Sequence, residues 1–344
     1  MASNKEEELK EVLYDTEALK RKSVSGFGWA VLQQGLGRII SFTVMLLLAR
    51  FLTPEDFGAL AAVAILTDIA RVLSDGGFGA SLARSPEVDE RDINSVFYFN
   101  LVMSGICYLI IFVAAPWIAD FFHAPNLVPL MRVQSLSLIL GALGTIQWIL
   151  IWRAMNFRVQ TWSSASSTLV GGIVGCTMAN LGYGPWSLVA QELSRAFTFM
   201  VFNWYASWWR PKLMFSVPHF KKHFAFGSRM ATAQVLTVAY DKVSTILIGR
   251  FFSQRELGLF NQAKTFEAVP VGIIADPINQ VTAPIFVRIQ DDIERLKSGY
   301  RRAQRLLFQL STPVMLALIV LCASGHGPAT RRLFHPQQGD TDHD

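Results

Sequence analysis

What most constrains this chain is a succession of apolar stretches, each near the ~20 residues a helix needs to cross roughly 30 Å of hydrocarbon. They fall at 24–49, 57–74, 95–118, 134–153, 163–182, 185–207, 225–249, 257–284 and 303–322 of the 344 residues. The second is short and the fifth is rich in Ser and Gly. Only 17% of the residues are charged, against about 25% in soluble domains, and mean hydropathy is +0.33. The expected fold is all-α: a polytopic helical bundle in a membrane, with about nine spans. Disorder, a collagen, a disulfide scaffold and a soluble enzyme are excluded on the same grounds. Cys107, Cys176 and Cys322 lie inside apolar runs without paired spacing, which reads as reduced core thiols and neither a metal site nor a disulfide framework. The net charge of +5 does not signal nucleic acid, because the basic residues are distributed between apolar stretches.

That distribution gives an orientation. Even-numbered connections and the N-terminus carry twenty Lys and Arg residues, including Arg71, while the opposite side carries six. By the positive-inside rule the N-terminus is cytoplasmic. Residues 1–22 are strongly charged and read either as a short helix on the cytoplasmic surface or as a solvated tail; no cleavable signal peptide precedes the first span. A first lobe of six helices over 23–207 is expected. A cytoplasmic linker, 208–224, follows, where Trp208, Trp209 and Arg210 would anchor at the interface. A partial second lobe of three helices occupies 225–322, and a polar tail, 323–344, follows.

The two lobes are inferred from an internal repeat. Ala49-Arg50-Phe51-Leu52-Thr53-Pro54-Glu55-Asp56-Phe57-Gly58 returns 200 residues later as Gly249-Arg250-Phe251-Phe252-Ser253-Gln254-Arg255-Glu256-Leu257-Gly258. Each copy follows a long apolar helix and opens the next. Six spans separate them, so both halves enter the membrane in the same sense, as in parallel-repeat transporters. The competing account is an ordinary turn whose acidic residue caps the next helix. With six spans in the first half and three in the second, the second lobe is incomplete. The abrupt change to Ala323-Ser324-Gly325-His326-Gly327-Pro328 reads as truncation with an aberrant tail. Such a chain is expected to be unstable or inactive unless a partner supplies the missing surface.

Ionisable groups inside spans are costly and raise functional hypotheses. Arg38, Arg195, Arg229, Lys242 and Lys264 are the candidate cations of a cavity. Asp68, Glu192, Asp241 and Glu267 are the candidate charge-pair or coupling acids. Glu192/Arg195 and Lys264/Glu267 are spaced i,i+3 and would neutralise one another, whereas Arg38, Arg229 and Lys242 show no same-helix partner apart from Asp241 beside Lys242. For these cations the alternative to a basic, phosphate-binding cavity is snorkelling to the interface. Gate and repeat candidates are Arg50, Gly58, Arg250 and Gly258, with Pro270 and Pro277, which share a seven-residue period with Pro284 on one kinkable helix. Gly171 and Gly175 form a GxxxG that marks close helix packing. No Gly-rich phosphate loop with Lys, no metal-ligand spacing and no cofactor motif is present. Glu55-Asp56 resembles the external acids of membrane glycosyltransferases. Its connection is short and its repeat copy lacks the acidic pair, so helix capping is the better account.

At these residues the sequence resembles the polysaccharide transporters of the multidrug/oligosaccharidyl-lipid/polysaccharide exporter superfamily, in particular the branch exporting colanic acid and related exopolysaccharides. The matching pieces are Leu48-Ala49-Arg50 through Phe57-Gly58, Leu73-Ser74-Asp75-Gly76-Gly77-Phe78-Gly79, Phe226-Gly227, and Ile289-Gln290-Asp291-Asp292 with Leu296 and Tyr300. The resemblance implies two helical lobes around a central cavity. It also implies flipping of an undecaprenyl-diphosphate-linked oligosaccharide from the cytoplasmic to the periplasmic leaflet, without covalent chemistry. The cations would hold the diphosphate, and Gln33, Gln34, Asn261 and Gln262 would meet sugar. Implied partners are the lipid-linked oligosaccharide, membrane lipids and the polysaccharide polymerase or export machinery. Two other readings remain open: a non-transporting component or remnant in a polysaccharide assembly complex, and a drug/cation antiporter of the same architecture.

Overall fold

A computed structural model describes residues 35–84, 88–154, 156–214, 216–265 and 293–324, and all the regular structure among them is helical. In chain order the helices are α1 (35–51), α2 (Pro54–Asp75), α3 (Phe78–Arg84), α4 (Glu90–Phe121), α5 (Leu127–Gln134), α6 (Leu136–Arg153), α7 (Phe157–Asn180), α8 (Trp186–Ala206), α9 (Val217–Phe251), α10 (254–265) and α11 (Ile293–Ser324). Every apolar stretch with described residues coincides with a helix. Sequence periodicity did not reveal α3, a helix of seven residues (about two turns) after the Gly76-Gly77 break.

Among the described residues, three segments are long and apolar enough to cross a membrane on length and composition alone: Pro54–Asp75, Glu90–Phe121 and Leu127–Arg153. The other long helices dilute their hydropathy with polar residues. In α7 those include Ser and Thr, several of which bond back within the helix, although the buried Ser163 hydroxyl has no partner among the described residues. Ser166 and Ser167 donate to the carbonyls of Ser163 and Ser164, and Thr168 also donates to Ser164. Such back-bonding to the preceding turn keeps hydroxyls from standing unpaired among apolar neighbours.

α4 displays an inverted amphipathicity. Val102, Leu109, Ile110, Val113 and Trp117 are 59–69% exposed and recur at helical spacing on one face. The opposite face buries Asn100, Ser104, Cys107, Ile111, Ala115 and Ala119. Small and polar residues face the bundle while large apolar ones face outward, the pattern expected where the solvent is hydrocarbon and packing drives association. Cys107 and Cys176 are free thiols.

Helix packing follows small residues. Gly171 and Gly175 set α7 against Gln191 and Arg195 of α8, and Gly172 lies against Val44 of α1. The GxxxG is thus a helix–helix contact. α9 crosses α2 and α3 where the chain has no side chains to interpose. Gly76 and Gly77 both adopt left-handed φ (56° and 69°). A Cβ on Gly77 would run into the Gly227 carbonyl, and one on Gly227 would lie 2.8 Å from the Gly76 oxygen. The Asp75–Gly79 and Phe226-Gly227 motifs, 150 residues apart, are the two sides of one contact.

The segment before α9 is tied down. Lys212 N–H donates to Asn94 Oδ1 (2.7 Å), Ser216 N–H to Ser95 Oγ (3.0 Å), and Lys212 Nζ pairs with Glu90 (2.7 Å). Trp208 is 78% exposed, as an interfacial anchor would be, but Trp209 is buried at 2%, edge-on to Phe97. Nearby, Phe78 stacks on Phe220, and Phe99 and Phe224 pack tilted against them. α9 begins at Val217, inside the segment read from sequence as linker.

Candidate functional site

Two salt-bridged clusters lie side by side across three helices. On α8, one helical turn separates Glu192 from Arg195. Arg195 grips the carboxylate with both arms of its fork, Nε–Oε2 at 2.8 Å and Nη2–Oε1 at 2.7 Å. Arg71 of α2 reaches the same Oε1 at 2.9 Å. One turn earlier on α2, Asp68 accepts from Lys242 of α9 at 2.7 Å, and Asp68 also acts electrostatically on Arg195. The order is Lys242, Asp68, Arg195, Glu192, Arg71: three cations alternating with two anions. Side-chain exposures run from 21% for Glu192 to 49% for Arg71. Partly sequestered charges in a helical bundle persist only when paired or wet, and here each has a partner.

Lys242, with no same-helix partner beyond Asp241, has its counter-ion on another helix, at Asp68. One reading of the sequence changes: Arg71, counted with the cytoplasmic connections, lies within α2 and bridges to α8. The i,i+3 pairing of Glu192 with Arg195 is as expected.

Behind Glu192 lies a cavity of about 330 Å³ lined by α2, α4, α6 and α8. Arg71, Asp75, Glu192 and Arg195 contribute charge, and Phe199 contributes an aromatic wall. Asn100, Ser104 and Ser137 also line it. All three are at most 1% exposed, yet both amide atoms of Asn100 and both hydroxyls have no hydrogen-bond partner among the described residues. Sequence reasoning missed these three. Asn100 and Ser104, four apart on α4, carry the only available signal: polar residues on one face of an otherwise apolar helix.

At the opposite end of α2 the two repeated turns meet. Thr53 and Asp56 form a capping box: Thr53 N–H and Oγ1 both donate to Asp56 Oδ2 at 2.9 Å, and Asp56 N–H returns to Thr53 Oγ1 at 3.3 Å. Ser253 and Glu256 repeat it, at 2.9, 3.0 and 3.2 Å. Glu55-Asp56 is accordingly a helix start. The turns face each other: a Cβ on Gly58 would strike the Gln254 carbonyl, and one on Gly258 the Pro54 carbonyl. Arg255 approaches Glu55 at 3.8 Å. Arg250 donates to the Phe121 carbonyl at 2.7 Å, lies 3.1 and 3.2 Å from the ring nitrogens of His123, and covers the Phe121 ring.

The remaining sequence candidates are dispersed. Arg38 is half-buried near the start of the described part of α1, and Arg229 is exposed on α9. Lys264 donates to the backbone carbonyl of Asp241 at 2.8 Å. Asn261 and Gln262 are half-buried on α10. Glu267, Pro270, Pro277, Gln33 and Gln34 lie outside the described residues. Among the described residues no group of three or more His, Cys, Asp or Glu side chains has metal-binding geometry.

Comparison with known proteins adds to this geometry. The family described as polysaccharide biosynthesis protein matches residues 47–324. The succinoglycan biosynthesis transport protein ExoT of Rhizobium meliloti (strain 1021) is 27% identical over 94% of this chain and 65% of its own length. The lipopolysaccharide biosynthesis protein WzxC of Escherichia coli (strain K12) is 23% identical over 88% of this chain and 62% of its own. The chain thus spans just under two thirds of the length of these curated relatives. Among solved structures, the lipid II flippase MurJ in an inward closed conformation superposes with a TM-score of 0.65 at 14% identity, covering 90% of this chain and 68% of that one. A likeness at that identity establishes the fold: a polytopic helical membrane protein.

Proposed function

This chain belongs to the polysaccharide biosynthesis protein family, and from that premise we propose that it acts as a flippase for an undecaprenyl-diphosphate-linked oligosaccharide. In this reading the lipid-linked sugar passes from the cytoplasmic to the periplasmic leaflet of a bacterial inner membrane, with the N-terminus cytoplasmic. α1 to α8 belong to a six-helix first lobe, and α9 opens a second lobe related to it by the 200-residue repeat.

The observation that carries the proposal is the row of charges from α9 through α2 to α8. Lys242 joins the two lobes through Asp68, and Arg195 and Arg71 share Glu192. The cation that would meet a diphosphate is Lys242, which is occupied by the Asp68 carboxylate. A diphosphate binds by exchange: its oxygens take the place of that carboxylate on the ammonium group. Displacing Asp68 from Lys242 releases α9 from α2. Substrate charge is thereby coupled to relative movement of the lobes, as alternating access requires. Arg38, Arg229 and Lys264 supply further positive potential without joining the row.

The test is a charge swap, scored as polymer export in a strain lacking its own flippase. It is complemented by this chain and, in parallel, by this chain extended with a relative's remaining segment. Asp68→Lys and Lys242→Asp should each reduce export at least tenfold, and the double variant should restore most of it. Normal export by both single variants would overturn the proposal.

A further inference from the structure

The cavity behind Glu192 has a chemistry distinct from the interlobe pair. Its formal charges cancel, two guanidiniums against the carboxyl groups of Glu192 and Asp75. A free cation entering it meets Arg71 and Arg195. A diphosphate entering it finds both guanidiniums already held on Glu192 at 2.7–2.9 Å. What the walls leave unsatisfied is neutral: the amide of Asn100, which offers donors and an acceptor, and the hydroxyls of Ser104 and Ser137, which offer both. Each such buried group costs free energy until something bonds to it. Phe199 adds a flat apolar surface. A neutral ligand that donates and accepts around its rim and carries an apolar C–H face satisfies all of these at once. Those are the properties of a pyranose. About 330 Å³ is at the low end of small-molecule sites, roughly 300–1,000 Å³, which suits one sugar ring and not an oligosaccharide.

We propose that this cavity of the first lobe is a monosaccharide subsite. Asn100, Ser104 and Ser137 hydrogen-bond the hydroxyls of one pyranose unit, Glu192 accepts from another hydroxyl, and the Phe199 ring covers the sugar's C–H face. The inference rests on the flippase reading for the origin of the sugar, as one unit of the lipid-linked oligosaccharide. The pocket stands on its own geometry.

Gly141 provides the means of testing it. It lines the cavity, and a Cβ added there meets nothing within 4 Å, so Gly141→Leu fills the space without a backbone clash and with a better helix former. Gly105→Leu is the matched control, on a helix and likewise unobstructed but not among the cavity-lining residues. The measurement is saturation-transfer NMR on the full chain in nanodiscs, with methyl β-D-glucopyranoside, methyl β-D-galactopyranoside and inorganic pyrophosphate as probes. Transfer to at least one glycoside is expected, falling at least fivefold in Gly141→Leu and unchanged in Gly105→Leu. Pyrophosphate should leave that transfer unaffected. Asn100→Leu supplies a second readout: removing two unsatisfied buried atoms should maintain or raise the thermal midpoint while abolishing glycoside transfer. No transfer to either glycoside, equal transfer in Gly141→Leu, or displacement of the glycoside by pyrophosphate would each overturn the subsite. Glycoside binding that survives when the charge-swap variants export normally would retain the pocket and remove the flippase reading, so the two failures are distinguishable.

Discussion

The turn at 53–58 and the turn at 253–258 share one local design and differ in what surrounds them. Both use a hydroxyl N-cap and an acidic residue three positions on, with the same three hydrogen bonds in each. Both place a glycine at the fifth position after the cap, where each meets the other turn's backbone. The arginines diverge. Arg50 is exposed, whereas Arg250 holds the Phe121 carbonyl and the His123 ring and so fastens α9 to the end of α4. Glu55 has its repeat counterpart in Arg255, and these two face each other. The backbone device is repeated, and the side chains flanking it have specialised into a contact between copies.

Three measurements would break or sharpen that comparison, each a thermal or denaturant stability of the purified chain. The largest effect belongs to the glycines. Gly58→Ala and Gly258→Ala each place a methyl group against a carbonyl and should cost about 2–3 kcal/mol or more. Tolerance of one and not the other would show that the turns are unequal in their contact as well. The arginines come next. Arg250→Ala should cost about 1–2 kcal/mol through its charge-assisted bond and ring contact, and Arg50→Ala less than ~0.5 kcal/mol; equal losses would return the repeat to functional symmetry.

The smallest effect is a pH response. Hydrogen bonds from the Ser253 backbone and hydroxyl hold the Glu256 carboxyl below its ordinary value. A depressed folded-state value contributes stability above the unfolded pKa of about 4.3, lost as pH falls through the folded value. Between pH 5 and pH 3 the thermal midpoint should therefore decline slightly less steeply in Glu256→Gln than in the unsubstituted chain. Parallel curves would show that this cap adds nothing through its charge.

Much of the fold was legible because the determinants are local. Apolar length located the helices, the Thr53/Asp56 and Ser253/Glu256 spacings located their starts, and GxxxG marked the α7–α8 contact. The site was legible only where partners share a helix, as Glu192 and Arg195 do. Lys242–Asp68 and Arg71–Glu192 join residues 174 and 121 positions apart. A helical period assigns a residue to a face, but not that face to a neighbour. Arg71 was misplaced for a related reason: charge near a helix end looks like a connection until the helix is seen to continue past it, here to Asp75. Trp209 followed the same pattern, its neighbour Trp208 being the exposed one.

The contacts Gly58–Gln254, Gly258–Pro54 and Gly77–Gly227 have one further consequence. In each, the atom opposite the glycine is a main-chain carbonyl, which no substitution can trim. A larger residue at any of these glycines therefore has no second-site suppressor at the residue it strikes. Searches for correlated substitution would pass over all three contacts, because a position that tolerates nothing has nothing to vary with. A suppressor screen begun from Gly77→Ala should instead return changes at a distance, in residues that set the tilt of α9 against α2.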